Sequence, residues 1–269
     1  MIHMEHNRRR ERRQGQAFVR GSLVPSSTHD QRLLARQGPS DWVHMDPWRV
    51  LRIQAEFVEG FGQLAELPQA VTVFGSARTT PDSPDYELGR ALGRSLADAG
   101  YAVITGGGPG VMEAANRGAR DVDGAVSVGL GIELPFEQRM NDYVDLGIEF
   151  RYFFVRKTMF VKYSCGFIAL PGGFGTLDEL FEALTLVQTH KVTSFPVVLM
   201  GSEFWGGLLD WIKGSLLSTA KIKPQDLDLI SVTDDVDEAV RIIVDADLAR
   251  SKQREEELEA TEAQIAEPQ

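Results

Sequence analysis

Apolar residues fall in this chain as short continuous runs, separated by longer stretches in which they recur every three or four positions. Val71 to Phe74, Tyr101 to Ile104, Ala125 to Leu130, Gly166 to Leu170 and Pro196 to Met200 are such runs. They are too short for helices and suit strands covered on both faces. Glu149 and Phe150 end a further strand. Helical spacing runs through Tyr86 to Gly100, with Leu88, Leu92 and Leu96 on one side and Gly100 as the closing residue. The same period governs Val111 to Arg120, Phe153 to Tyr163, the segment after Thr176, Trp205 to Leu216 and Ala239 to Leu248. Strand and helix alternating at this spacing predict an α/β fold, a parallel sheet with helices on both faces. Ligands of such sheets bind beyond the C-terminal strand ends, near the point where strand order reverses.

The flanks differ from this body. Residues 1–40 carry Arg8, Arg9, Arg10, Arg12 and Arg13 with few aliphatics, a composition expected to form a mobile basic arm. Residues 41–250 read as a single domain that opens with an amphipathic helix from Pro47 to Leu67, its stripe formed by Trp48, Leu51, Ile53, Phe57, Phe61 and Leu64. Residues 251–269 form an acidic, helix-prone tail with no strong apolar face.

Charge and composition then remove several function classes. A net charge of −11 argues against nucleic acid or an anionic membrane as partner. No apolar stretch reaches the roughly 20 residues of a membrane helix, and the arginine-rich start lacks the apolar segment of a signal peptide, so a cytoplasmic address is expected. The lone Cys165 permits no intrachain disulfide and reads as a small core residue at a strand entrance. His3, His6, His29 and His44 lie near the N-terminus, leaving His190 alone in the body, where capping of a helix end is its expected role. No metal site is expected from this ligand supply.

The informative chemistry sits in glycine-rich turns after strands. Pro171-Gly172-Gly173-Phe174-Gly175-Thr176-Leu177-Asp178-Glu179 links a strand to a helix N-terminus. Unpaired N–H groups and the positive end of the helix make such a turn a phosphate receptor. Gly106-Gly107-Gly108-Pro109-Gly110 is a second turn; it lacks both the dinucleotide fingerprint and the Gly-Lys-Ser/Thr ending of a P-loop, which points to a mononucleotide. The first turn, Gly75-Ser76-Ala77-Arg78, is a weaker signal. Arg156 and Lys157 stand among Phe153, Phe154, Val155 and Phe160, an apolar setting that calls for an anion or acid to receive them. Glu179 and Glu182, three apart, share a helix face beside the phosphate-binding turn.

Together these residues resemble the Lonely Guy (LOG) family, often labelled as lysine decarboxylases. The chain carries the family's P-G-G-x-G-T-x-x-E pattern at Pro171–Glu179, the Arg156-Lys157 pair, and a G-G-G-x-x-G-x-M-like turn at Gly106–Met112, in the same order, with the likeness running from about Val71 to Leu248. Long flanks and Leu134-Pro135-Phe136-Glu137-Gln138 resemble the larger bacterial branch. The resemblance implies a Rossmann-like fold and hydrolysis of the N-glycosidic bond in adenosine-type nucleoside 5′-monophosphates, including N6-substituted, cytokinin-type ones. It implies Arg156 and Glu179 as the catalytic pair. It also implies a substrate site of Gly107, Gly108, Gly110, Met112, Lys157, Gly173, Phe174, Gly175, Thr176, Leu177, Asp178 and Thr185, no cofactor, and a homodimer or larger homo-oligomer. A further glutamate upstream of the Arg-Lys pair is implied, with Glu133 and Glu137 both in place to supply it. Glu113 stands where short members often have glycine and is expected to alter base specificity.

Cleaving a ribosyl C1′–N bond builds positive charge on the sugar. A carboxylate such as Glu179 stabilises that charge and orients or deprotonates water, while Arg156 fixes phosphate or ribose hydroxyls. Two other readings stand beside this one: a nucleotide-binding or carrier module without hydrolysis, and a broader nucleosidase acting on other purine or pyrimidine 5′-nucleotides.

Overall fold

The computed structural model describes residues 11–14, 17–20, 27–35, 41–134, 139–189, 191 and 195–266. Strands β1 (Glu11–Gln14) and β2 (Ala17–Arg20) pair as an antiparallel hairpin. Helix α1 (His29–Leu34) follows, then the long α2 (Asp41–Leu64). The body comprises β3 (Ala70–Phe74), α3 (Pro84–Asp98), β4 (Ala102–Thr105), α4 (Val111–Arg120), β5 (Ser127–Ile132), β6 (Leu146–Phe150), α5 (Phe153–Tyr163), β7 (Phe167–Ala169), α6 (Phe174–Gln188), β8 (Val197–Met200), α7 (Ser202–Trp211), β9 (Ile230–Thr233) and α8 (Val236–Ala266).

The seven strands β3 to β9 form one sheet in the order β6-β5-β4-β3-β7-β8-β9, with every neighbouring pair parallel. The chain walks outward from β3 to β6, then crosses back to lay β7 on the other side of β3. That reversal puts the turns after β3, β4 and β7 side by side at one sheet edge, the place a doubly wound sheet offers to ligands. Two apolar layers hold the sheet. Leu92, Leu96, Val111, Ala115, Ala239 and Ile243 from α3, α4 and α8 pack on one face with Val71, Val73, Ile168 and Val198. Leu64, Val155, Met159, Phe160, Leu180, Ala183 and Trp205 from α2, α5, α6 and α7 pack on the other with Phe74, Ile104, Leu130 and Phe167.

The α/β expectation is met, and α4 and α5 have the expected bounds. Three differences concern the flanks and one sheet edge. Strand β9 escapes the sequence reading because Ile230-Ser231-Val232-Thr233 lacks the continuous apolar run of the central strands; it is an edge strand with Val232 exposed. Residues 29–34, within the stretch expected to be a mobile arm, form a helix. Thr28 closes a capping box with Gln31, and buried His29 bonds Glu133, through its backbone N–H at 2.7 Å and Nδ1 at 2.6 Å. Residues 1–10 of that arm, and His190 with its expected capping role, lie outside the described residues. Helix α2 begins before Pro47, and only part of its expected stripe is covered: Ile53, Phe57 and Leu64 pack on the body, whereas Trp48 and Leu51 are exposed. Gly60 of α2 meets α5, where a Cβ would stand 2.8 Å from Met159 Cε.

Cys165 is buried as expected, its thiol donating to the Ala70 carbonyl. Burial pushes that thiol up to about 11, the wrong direction for a nucleophile at neutral pH. Among the described residues no helix is long and apolar enough to cross a membrane.

Candidate active site

The three glycine turns are joined by their backbones. Ser76 N–H donates to the Pro171 carbonyl at 3.0 Å, and Val111 N–H donates to the Ser76 carbonyl at 3.0 Å. A side chain at Gly75 would collide with Val111, and one at Gly110 would stand 2.3 Å from the Ser76 oxygen. Gly110 also has φ +72°, so both conformation and space require glycine there. At Gly172 a Cβ would meet Thr176 Oγ1, which packs back over the turn.

A buried polar network sets the second turn. Thr105 Oγ1 donates to Asn116 Oδ1 at 2.6 Å and accepts from Gly107 N–H at 2.9 Å. Asn116 Nδ2 donates to Ser127 Oγ, and Asn141 Nδ2 donates to Asn116 Oδ1 and to the Gly108 carbonyl. Asn141 N–H also donates to the Gly107 carbonyl at 2.8 Å. With every partner supplied, such a network fixes a loop rather than destabilising the core.

These turns border a cavity of about 700 Å³. Of the residues expected at the site, Gly107, Gly108, Met112, Arg156, Gly173, Phe174, Gly175, Thr176, Leu177 and Glu179 line it. Helices α4 and α6 point their N-termini here, capped by Gly110 and Gly173 without any side-chain hydrogen bond. Their first-turn N–H groups and positive ends favour an anion.

Opposite the turns, α5 brings in the basic pair. Arg156 Nη2 lies 3.8 Å from Glu179 Oε1, and the guanidinium sits over the rings of Phe153 and Phe160. Its Nε is buried and has no hydrogen-bond partner. Burial works against the charge of Arg156, while Glu179, Asp178, Glu149 and Asp30 work for it. Lys157 turns the other way, to Asp178 Oδ2 at 3.0 Å and to Glu182, with Glu179 Oε2 at 3.9 Å. Burial disfavours its ammonium, but these carboxylates outweigh it and hold the group above its ordinary value. Glu179 itself is 3% exposed. Burial, against the pull of Lys157 and Arg156, pushes its carboxyl from 4.5 to about 7. A carboxyl so placed exchanges its proton in the range where acid–base catalysis at neutral pH is efficient.

Other expected site residues stand apart from the cavity. Gly110 supports the turn from beneath. Lys157 touches the site only through Glu179. Asp178 and Thr185 border a shallower depression on the outer face of α6, with Phe174, Leu177, Phe181, Glu182 and Leu186, and the Thr185 hydroxyl donates to the Phe181 carbonyl. Of the two upstream glutamates, Glu133 is occupied with His29 and does not line the cavity, and Glu137 lies outside the described residues. Glu113 accepts a hydrogen bond from the Tyr86 hydroxyl at 2.8 Å and is not in the lining.

Sequence reasoning misses Arg139, Met140, Glu149 and Phe153 in the cavity wall, and the Asn116–Asn141 network behind it. Asn116, a polar residue among the small apolar residues Ala114, Ala115 and Ala119 of α4, was the available signal for the network.

The family model described as "Possible lysine decarboxylase" matches residues 112–243. A protein of Mycobacterium tuberculosis named cytokinin riboside 5′-monophosphate phosphoribohydrolase is 33% identical over 161 residues, which span 58% of this chain and 83% of the relative. The chain belongs to the LOG family. Among solved structures, the X-ray structure of TM1055 is 28% identical with a TM-score of 0.51, over 66% of this chain and 99% of that one. A molybdenum cofactor binding protein from Rippkaea orientalis, 23% identical with a TM-score of 0.50 over 67% of this chain and 97% of its own, shows the shared fold alone. The match to the Mycobacterium tuberculosis relative leaves a large part of this LOG chain unaccounted for, and helices α1 and α2 lie ahead of the residues matched by the family model.

Proposed function

We propose that this chain hydrolyses the N-glycosidic bond of adenosine-type nucleoside 5′-monophosphates, AMP and its N6-substituted forms, to free base and ribose 5-phosphate. The observation that carries the reading is the buried Arg156–Glu179 pair, facing two helix N-termini across one cavity. The names of the curated relatives point to the same bond.

The 5′-phosphate is received by the N-terminal ends of α4 and α6 and the glycine turns before them, where backbone N–H groups supply donors. The base occupies the apolar part of the wall, with Met112, Ile132, Met140 and Phe153. The unpartnered Nε of Arg156 gains an oxygen of phosphate or ribose on binding. As the C1′–N bond lengthens, the ionised Glu179 stabilises positive charge on the ribose and takes the proton of the attacking water. That proton passes on to the departing base, so that neutral base leaves and the carboxylate is restored. Lys157, tethered by Asp178 and Glu182, stays outside the cavity and favours the ionised state of Glu179. A preorganised group of this kind supplies about 3 kcal/mol of transition-state stabilisation.

Association into a homodimer or larger homo-oligomer is part of the proposal. The outer face of α6 offers an apolar surface in which Phe174 is 92% exposed beside the cavity, and Thr185 lies on it. A second copy seated there is the route by which Thr185 reaches a substrate site. Light scattering on the purified protein measures the subunit count.

The function is tested by incubating the protein with AMP, N6-isopentenyl-AMP, GMP and CMP and resolving free base by chromatography. Base released from the first two supports the reading. Release from all four widens the substrate class to nucleotides in general. Binding of AMP with no base released from any substrate replaces the enzyme with a binding module.

A further inference from the structure

Among the described residues, Glu149 is the one acidic residue besides Glu179 in the cavity wall. It stands near the end of β6, paired in register with Gly131 of β5. Its carboxylate lies across the backbone of Gly131: a Cβ there would be 2.8 Å from Oε1 and 3.0 Å from Oε2. A side chain at 131 would displace the carboxylate from this place over β5. The acid also acts on Arg156, favouring its guanidinium charge as Glu179 does. Arg156 therefore has an acid on β6 and an acid on α6 within electrostatic reach, and the three border one space. Glu149 is exposed, unlike Glu179. A carboxylate oxygen accepts hydrogen bonds, which suits it to hydroxyl donors.

We propose that Glu149 is a specificity-determining residue that accepts the ribose 2′-hydroxyl of the nucleotide. This rests on the phosphoribohydrolase reading above. A ribonucleotide bound with its phosphate at the α4 and α6 N-termini has its sugar beside Arg156 and Glu179, and Glu149 faces the same region from β6. The carboxylate rewards a ligand with the hydroxyl and gains nothing from a 2′-deoxy ligand, whose absent donor leaves it without that partner. A hydrogen bond to the hydroxyl next to C1′ also strengthens as positive charge develops on the ring.

The test compares AMP with 2′-deoxy-AMP as substrates for wild type, Glu149→Ala and Gly131→Ala. The second variant keeps the carboxylate but moves it off β5. Wild type is expected to favour AMP by about 30-fold in kcat/KM, the value of one charge-assisted hydrogen bond. Both variants are expected to lose most of that on AMP and less than about threefold on the deoxynucleotide, bringing the ratio close to one. An equal loss on both substrates, or a wild-type ratio near one, overturns the assignment. Far-ultraviolet circular dichroism confirms folding, and Glu149→Gln, with an amide oxygen in place, is expected to retain an intermediate ratio. Should wild type release no base at all, the phosphoribohydrolase reading fails. The Glu149 assignment is then decided by the AMP to 2′-deoxy-AMP ratio of dissociation constants from calorimetry, which Glu149→Ala must lower to uphold it.

Discussion

The turn after β4 and the turn after β7 both place glycines and a helix N-terminus at the same cavity, yet they are built in opposite ways. Residues 106–110 are fixed from behind by Thr105, Asn116 and Asn141, have positive φ at Gly107 and Gly110, and leave no room for a side chain at either position. Residues 171–176 are open on the ligand side: nothing lies within 4 Å of a Cβ built at Gly173 or Gly175. The first turn contributes no ionisable group to the cavity wall, whereas the helix after the second carries Glu179 into contact with Arg156. Rigidity and chemistry are thus assigned to different turns. A phosphate cradle gains from being fixed before the ligand arrives, while a carboxyl with a raised pKa depends on burial and on the charges brought by a neighbouring helix.

The largest effect that separates the turns on stability is pH dependence. Glu179 has a folded-state pKa of about 7 against 4.5 for an ordinary glutamate. Its ionised form is therefore the one that folding disfavours. The cost is absent below the unfolded value and complete above the folded one. Unfolding of Glu179→Gln is expected to match wild type near pH 4.5 and to exceed it by about 3 kcal/mol above pH 7. Denaturant titrations at several pH values check this; a difference that does not change with pH removes the buried, strained carboxyl from the account.

Gly110→Ala attacks the fixed turn. A side chain at φ +72° and 2.3 Å from the Ser76 oxygen is expected to cost about 2 kcal/mol or more, read as a Tm lower by roughly 4–8 °C, with weakened AMP binding. An unchanged Tm would show that the three turns are less firmly joined than their hydrogen bonds imply. The smallest effect is expected at the open turn. Gly175→Ala should leave stability within about 0.5 kcal/mol of wild type, any loss falling on KM because the methyl enters ligand space. A large drop in Tm for that variant would erase the contrast.

The same contrast sets how much the sequence discloses. The strand–turn–helix layout of both turns is legible, because glycine punctuation and apolar period are local signals. The Arg156–Glu179 pair is legible as two motifs, though not as a contact, since α5 and α6 meet only through the sheet reversal. Glu149 is invisible as a site residue: in sequence it merely ends a strand, and its placement depends on the register with Gly131. Lys157 and Asp178 follow the motif but face the outer side of α6, because residues adjacent in a helix point about 100° apart. Helix α1 is hidden for a different reason. Its docking comes from His29 on Glu133, Asp30 accepting from the Phe153 N–H, and Leu33 against the core, across separations that no local pattern reports.

The most direct test of the central claim is kcat for free-base release from AMP, measured for wild type and Glu179→Gln from about pH 5 to about pH 9, with AMP affinity measured alongside. The account predicts that wild-type kcat climbs through neutrality as the Glu179 carboxyl ionises. It predicts that the variant is at least about 100-fold slower at every pH while still binding AMP. Turnover by Glu179→Gln within tenfold of wild type would contradict it, as would AMP bound by the wild type without release of base.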